Sequence, residues 1–138
     1  MLQFEQSLPA EIARTIRNRI QHCGVGLRFG SSPPSTGRDS FADIRAVRNN
    51  SAPDHTEGYA LTIDGDGVLI QYRYVPGLHA AIATLRQLLR EYGRRLPHLK
   101  IRDWPDFPRR GVMLDISRGR VPKLETLLDL AEHLADFK

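Results

Sequence analysis

The sequence contains a single cysteine, Cys23, among 138 residues. One thiol excludes an internal disulfide framework and a zinc site built from cysteines. The chain also lacks any apolar run of the roughly 20 residues that cross a bilayer, and its N-terminal stretch MLQFEQSLPAE is too polar for a secretion signal. These absences predict a chain without membrane contact and favour a cytoplasmic location.

A concentration of charge of one sign is missing as well. The chain carries 20 Lys and Arg against 16 Asp and Glu, with a net charge of +4 and a pI near 9.6. Such a pI is typical of nucleic-acid binders, but the basic residues are scattered among acidic ones, as in DWPDFPRR. A platform for single strands interleaves basic residues with exposed aromatic ones, so we expect no nucleic-acid partner.

The familiar motifs of catalytic and cofactor chemistry are absent too. The five histidines include no H-E-x-x-H spacing and no close pair that would suit a metal. Ser117 does not stand in a G-x-S-x-G elbow, and no glycine-rich loop precedes a helix as a phosphate cradle does. The sequence therefore predicts no metal and no cofactor.

What the sequence does contain is a succession of short helices and strands. Apolar residues recur at helical spacing in 8–22 and 77–92, which predicts two amphipathic helices. Alternation predicts a strand in 41–48, and a shorter strand is predicted at 99–102. Residues 59–74 hold two alternating runs around Asp-Gly-Asp-Gly, the pattern of a β-hairpin. Together these elements predict an α+β fold, with a small sheet and two packed helices.

The segment 109–138 has a different pattern. GVMLDI at 111–116 is almost continuously apolar, which is typical of a strand buried on both faces of a parallel sheet. Pro122 then stands where a helix begins, and leucines follow it at helical spacing. Such a strand–loop–helix unit needs neighbouring parallel strands, so we expect this segment to be the first unit of a larger β/α domain.

Three polar residues follow the apolar core of that predicted strand. Asp115, Ser117 and Arg118 would lie at its carboxyl end, the edge where α/β folds place ligand-binding groups. An arginine there offers a planar fork of donors that suits two neighbouring oxygens of a substrate. The alternative is a structural role, in which Asp115 and Arg118 pair with each other or cap the next helix. Spacing alone favours this alternative, because strand-end ion pairs are common.

Two segments together resemble glycoside hydrolase family 20, the β-N-acetylhexosaminidases: EGYALTIDGDGVLIQYRYVPGLHAAIATLRQLL (57–89) and IRDWPDFPRRGVMLDISRGRVPKLETLLDLAEHLADFK (101–138). The first is similar to the family's small α+β domain, described as zincin-like. The second is similar to the connector and first strand of its (β/α)8 catalytic barrel. The resemblance implies an accessory domain over 1–102 and, over 103–138, a connector with the first β/α unit of a truncated barrel.

The resemblance also implies an activity and one site residue. Arg118 matches the family's substrate-binding arginine, which grips hydroxyls of the terminal sugar, and Asp115 is expected to support it without touching substrate. The implied enzyme is a retaining exo-hydrolase of terminal β-linked N-acetylglucosamine or N-acetylgalactosamine, whose nucleophile is the sugar's own 2-acetamido oxygen. The Asp-Glu pair of that mechanism has no match here, so no catalytic residue is assigned to this chain.

The chain is therefore expected to be an inactive fragment, whose parent binds a carbohydrate with a terminal N-acetylhexosamine. Many members continue S-R-H followed by Phe or Tyr, whereas this chain has Gly119 and Arg120, which predicts an altered sugar preference. We also expect self-association through exposed barrel elements. The alternative function is that of a non-catalytic structural or interaction module derived from the same domain.

Overall fold

The computed structural model describes residues 2–4, 10–21, 44–93, 95–117, 119 and 121–138. Five strands and three helices lie in these residues. In chain order they are β1 (Leu2–Phe4), α1 (Ala10–Gln21), β2 (Ile44–Arg48), β3 (Tyr59–Asp64), β4 (Gly67–Tyr72), α2 (Val75–Tyr92), β5 (Leu99–Asp103) and α3 (Leu124–Phe137).

The strands form one mixed sheet in the order β1-β2-β4-β3-β5. β1 and β2 run parallel, as do β2 and β4, whereas β3 is antiparallel to both β4 and β5. The predicted hairpin, helices and strands of the α+β fold are thereby confirmed. β1 escapes prediction because three residues are too few for an alternation to be detected.

The hairpin owes its register to two features of the sequence. Buried and more exposed residues alternate along both β3 and β4, and Leu61 stands opposite Ile70. At the turn, the Asp64 side chain accepts a hydrogen bond from the backbone N–H of Asp66 at 3.0 Å. Gly67 then has φ 124°, a value that side chains disfavour. A slip of one residue would expose the apolar face, so this pairing is the one that forms.

The core lies between the sheet and the helices α1 and α2. Leu78, Ile82 and Leu85 of the predicted α2 stripe are fully buried. They belong to one cluster with the buried residues of α1 and of the central strands: Ile16, Ile20, Ile44, Ala46, Tyr59, Leu61, Ile63, Val68, Ile70 and Tyr72. Burial of this apolar surface is the main favourable contribution to the stability of the fold.

The segment after β5 departs from the prediction. Residues 111–116 form no strand, and all of them are exposed, Met113 by 96%. A strand requires neighbours that satisfy its backbone hydrogen bonds, and within the described residues no strand runs alongside this segment. The prediction of a buried strand is therefore wrong for the chain as the structure has it.

The helix predicted after Pro122 is confirmed as α3, although much of its apolar stripe is uncovered. Leu124, Leu128 and Phe137 are all largely exposed. An apolar face of this kind is normally covered by another element or another molecule. Self-association through 111–116 and α3 stays a prediction.

Candidate functional site

The site predicted at the end of 111–116 is only partly described. Arg118 lies outside the described residues. Asp115 is exposed, and its Oδ1 accepts a hydrogen bond from the backbone N–H of Ser117 at 2.8 Å. Hydrogen bonds from the side chain and backbone of Ser117 lower the pKa of Asp115, because they stabilise its charged form. Asp115 thus shapes the backbone just before residue 118.

A more extensive polar site lies where α3 meets α2. The carboxylate of Asp136 accepts hydrogen bonds from the guanidinium groups of Arg86 and Arg90, the latter at 2.8 Å. Its backbone carbonyl accepts another from the Gln87 side chain at 2.7 Å. Arg86 and Asp136 are each only 6% exposed. Because a buried charge needs a partner, this contact determines where the end of α3 lies on α2.

Beyond the end of α3, Lys138 reaches the end of β5. Its Nζ donates hydrogen bonds to Oδ2 of Asp103 at 2.7 Å and to the hydroxyl oxygen of Tyr59 at 2.8 Å. The Tyr59 hydroxyl in turn donates to the same Asp103 oxygen at 3.0 Å and lies 2.6 Å from Oγ1 of Thr84. These four side chains join β3, β5, α2 and the residue after α3.

Asp103 and Lys138 in this network each stabilise the charged form of the other. Burial raises the pKa of Tyr59 above its usual value, although hydrogen bonds from Lys138 and Thr84 act against the rise. Burial by itself would raise the pKa of Asp103 and lower that of Lys138. Their mutual hydrogen bond and opposite charges outweigh burial, so the pKa of Asp103 is lowered and the pKa of Lys138 is raised. At neutral pH the network is therefore an ion pair with a neutral tyrosine.

Arg110, which lies in the connector between β5 and α3, borders the same region. Its guanidinium pairs with the carboxylate of Glu57 and donates to the carbonyl oxygens of Phe107 at 2.5 Å and Lys138 at 3.1 Å. The result is a cleft of about 210 Å³, named here the junction cleft. Its walls include Glu57, Tyr59, Asp103, Trp104, Arg110 and Lys138.

The contacts of the junction cleft are better suited to holding these elements together than to catalysis. Both carboxylates of the junction cleft, Glu57 and Asp103, are already paired with cations. A general acid needs a carboxyl group whose pKa is raised toward the working pH, whereas the pKa of Asp103 is lowered. Among the described residues, no three His, Cys, Asp or Glu side chains converge as metal ligands. Every helix in the described part of the chain is too short or too polar to cross a membrane.

Sequence reasoning missed the junction cleft. Lys138 lies 35 positions from Asp103 and 79 from Tyr59, and Arg110 lies 53 from Glu57. Periodicity shows which side of a strand or helix is buried, but it does not identify partners so far apart in the chain. The one local signal is that β5, a partly exposed strand, ends on an aspartate.

Replacing Asp103 by Asn tests the network through its pH dependence. The folded-state pKa of Asp103 lies below its usual 3.8, so its contribution is present above 3.8 and is lost as the pH falls through the folded-state value. At pH 7, Asp103→Asn should lower the free energy of unfolding by up to about 1 kcal/mol, the range of partly exposed ion pairs. The difference between wild type and variant, measured from urea midpoints, should shrink below pH 3.8.

The matched control is Asp106→Asn in the connector that follows β5, because Asp106 is exposed and makes no hydrogen bond or ion pair with the described residues. We expect this variant to unfold like the wild type at both pH values. A difference for Asp103→Asn that grows on acidification would contradict the network.

Known proteins share this architecture. The family model described as "Glycosyl hydrolase family 20, domain 2" matches residues 2–104. The chain is 35% identical over 133 residues to the beta-hexosaminidase subunit alpha of Mus musculus, an alignment that covers 91% of this chain and 25% of that protein. It is 40% identical over 100 residues to a beta-hexosaminidase of Vibrio furnissii, covering 70% of this chain and 16% of that one.

Solved structures agree on the fold. The crystal structure of an inactive mutant of the family 20 exo-β-N-acetylglucosaminidase of Vibrio harveyi superposes with a TM-score of 0.71 at 23% identity. The match covers 99% of this chain and 20% of that one. The Flavobacterium johnsoniae chitobiase gives a TM-score of 0.65 at 21% identity, over 99% of this chain and 22% of that chain. The chain thus spans a quarter or less of the length of these relatives.

Proposed function

Because the chain belongs to glycosyl hydrolase family 20, through domain 2 of that family, we propose that it is the N-terminal part of a retaining exo-β-N-acetylhexosaminidase. The observation that carries the proposal is the domain 2 match over 2–104, together with relatives that are named beta-hexosaminidases. The parent enzyme would hydrolyse terminal β-linked N-acetylglucosamine or N-acetylgalactosamine.

The proposed division of the chain places the accessory domain at 1–102 and the start of the catalytic barrel at 103–138. The end of the family match at 104 supports this boundary. The exposed apolar residues of 111–116 and α3 support it as well, because barrel strands and helices bury such residues against their neighbours. In this arrangement the junction cleft fastens the accessory domain to the first barrel helix.

In the proposed mechanism this chain contributes substrate binding and no proton transfer. Arg118 would donate hydrogen bonds to hydroxyls of the terminal sugar, since its planar fork matches two adjacent oxygens. The Asp115 carboxylate, bonded to the Ser117 amide, would hold the backbone that presents Arg118. The acetamido oxygen of the sugar would act as nucleophile. The Asp-Glu pair that assists it would come from outside this chain.

An activity assay tests the proposal in two arms. The 138-residue chain should show no turnover of 4-nitrophenyl N-acetyl-β-glucosaminide, since nothing in its sequence matches the Asp-Glu pair that the proposed mechanism needs. The longer protein that carries this chain should hydrolyse the same substrate. In that protein, Arg118→Ala should reduce kcat/KM by about 100-fold, because charge-assisted hydrogen bonds to the sugar are lost.

Arg109→Ala is the matched control, because Arg109 is an exposed arginine nine positions before Arg118. It should leave kcat/KM within about twofold of the wild type, as surface substitutions usually do. Robust turnover by the 138-residue chain would refute the fragment proposal. Equal losses for the two arginine variants would refute the role of Arg118.

A further inference from the structure

A second concave surface lies at the carboxyl ends of the parallel strands β2 and β4. It is a groove of about 680 Å³ lined by Arg48, Asn49, Asn50, Arg73 and Tyr74, and is named here the arginine groove. We propose that the arginine groove binds an oxyanion carried by a sugar-sized ligand, that is, a sulfate ester, phosphate ester or carboxylate. Its lining shares no residue with the junction cleft.

Arg48 is the residue that would contact the anion. Its Nε donates a hydrogen bond to the backbone carbonyl of Arg73 at 2.9 Å, which holds the guanidinium plane in place. Its two terminal nitrogens form no hydrogen bond or ion pair with the described part of the chain. A guanidinium held by one edge presents the other edge as a fork, which matches two oxygens of an anionic group.

Arg73 forms the wall behind it. The Arg73 side chain donates to the carbonyl of Asn50 at 2.9 Å and pairs with Asp54 at 2.6 Å. Asp54 is 73% exposed, so water screens its charge and it neutralises Arg73 only weakly. Arg102 donates to the Ser51 carbonyl of the same loop at 2.8 Å and adds a further positive charge. The surroundings of the groove are therefore positive, which attracts an anion.

The rest of the lining suits a sugar ring. Tyr74 is 42% exposed, so one part of its ring is available for an apolar sugar face. The side-chain amide of Asn50 can both donate to and accept from hydroxyl groups. The groove is open to solvent on one side, so it leaves room for the group that carries the anion.

Titration of the 138-residue chain with matched sugars tests this inference. The ligands are N-acetylglucosamine 6-sulfate, N-acetylglucosamine 6-phosphate, glucuronic acid and neutral N-acetylglucosamine, followed by amide chemical shifts in NMR spectra. We expect saturable shifts at Asn50 and Tyr74 with at least one charged sugar, and binding that weakens with added salt. The charged sugar that binds most tightly identifies the source of the oxyanion.

A pair of variants separates a specific site from general charge. Arg48→Gln should weaken binding by at least about tenfold, because a charge-assisted hydrogen bond is lost. Arg45→Gln removes the same charge from an exposed position of the same strand outside the groove, and should change the affinity by less than about twofold. Circular dichroism checks that both variants fold. If one of them does not fold, the amide chemical-shift changes of the wild type during the titration decide whether the groove binds the ligand.

Several outcomes would overturn the inference: no saturable shifts with any charged sugar, equal weakening in the two variants, or equally tight binding of neutral N-acetylglucosamine. Because the measurement is binding and not hydrolysis, it succeeds or fails independently of the proposed hexosaminidase activity.

Discussion

Replacing Asp136 by Ala is expected to weaken the packing of α3 on α2 by about 3 to 5 kcal/mol, the usual cost of removing one partner of a buried ion pair. The cost is large because Arg86, itself 6% exposed, would keep its charge without the carboxylate that now balances it. The loss should appear as a lower urea midpoint. Backbone amides of α3 should also exchange with solvent at the rate of an undocked helix.

Two further variants make the test specific. Asp129→Asn changes an exposed carboxylate of the same helix and should leave both measurements unchanged. The double variant Arg86→Met with Asp136→Leu removes both charges, and should recover most of the stability because apolar replacements of a buried pair are often neutral. A loss below about 1 kcal/mol for Asp136→Ala would show that the pair behaves as an exposed one.

Replacing Gly77 by Ala should destabilise the protein although Gly77 lies in a helix. Alanine is the better helix former by about 1 kcal/mol, so helix propensity alone predicts a gain. In the structure, however, a Cβ at Gly77 would lie 2.3 Å from the carbonyl oxygen of Gly58. Because this neighbour is backbone, α2 or the loop must move, and overpacking of this kind costs about 1 to 3 kcal/mol. Thermal unfolding should show a lower Tm.

Gly65→Ala is the matched control, since a Cβ there would meet nothing within 4 Å. Its unfolding free energy should stay within about 0.5 kcal/mol of the wild type. The Gly77 substitution should also disturb the junction cleft, because Gly58 stands between its lining residues Glu57 and Tyr59. A higher Tm for Gly77→Ala would mean that helix propensity outweighs the close contact.

The α+β fold could be predicted because its signals are local. Alternation in 59–72 specifies which side chains face the core, and the helical stripe of 77–89 specifies the face that covers them. The order β1-β2-β4-β3-β5 could not be predicted in this way. Parallel pairing of β2 with β4 joins residues more than 20 positions apart, and alternation is the same whichever strand is the neighbour.

The contacts of the candidate sites also divide into local ones, which the sequence indicates, and long-range ones, which depend on the fold. Asp115 and Ser117 interact two positions apart, so their contact is within reach of the sequence. The strand predicted at 111–116 failed for the opposite reason. Its apolar run predicts that neighbouring elements cover the strand on both faces. The described residues include no strand beside it. The run therefore stays exposed.

By itself, the sequence determined the helices, the hairpin and the resemblance to family 20, since these depend on spacing and order along the chain. Only the tertiary structure decided that Lys138, Asp103 and Tyr59 meet, that Asp136 joins α3 to α2, and that Arg48 and Arg73 share a groove. The physical reason is that burial periodicity is encoded within each element. A charged contact depends instead on which elements the fold brings together. The sequence around a charged residue does not identify a partner that lies far away in the chain.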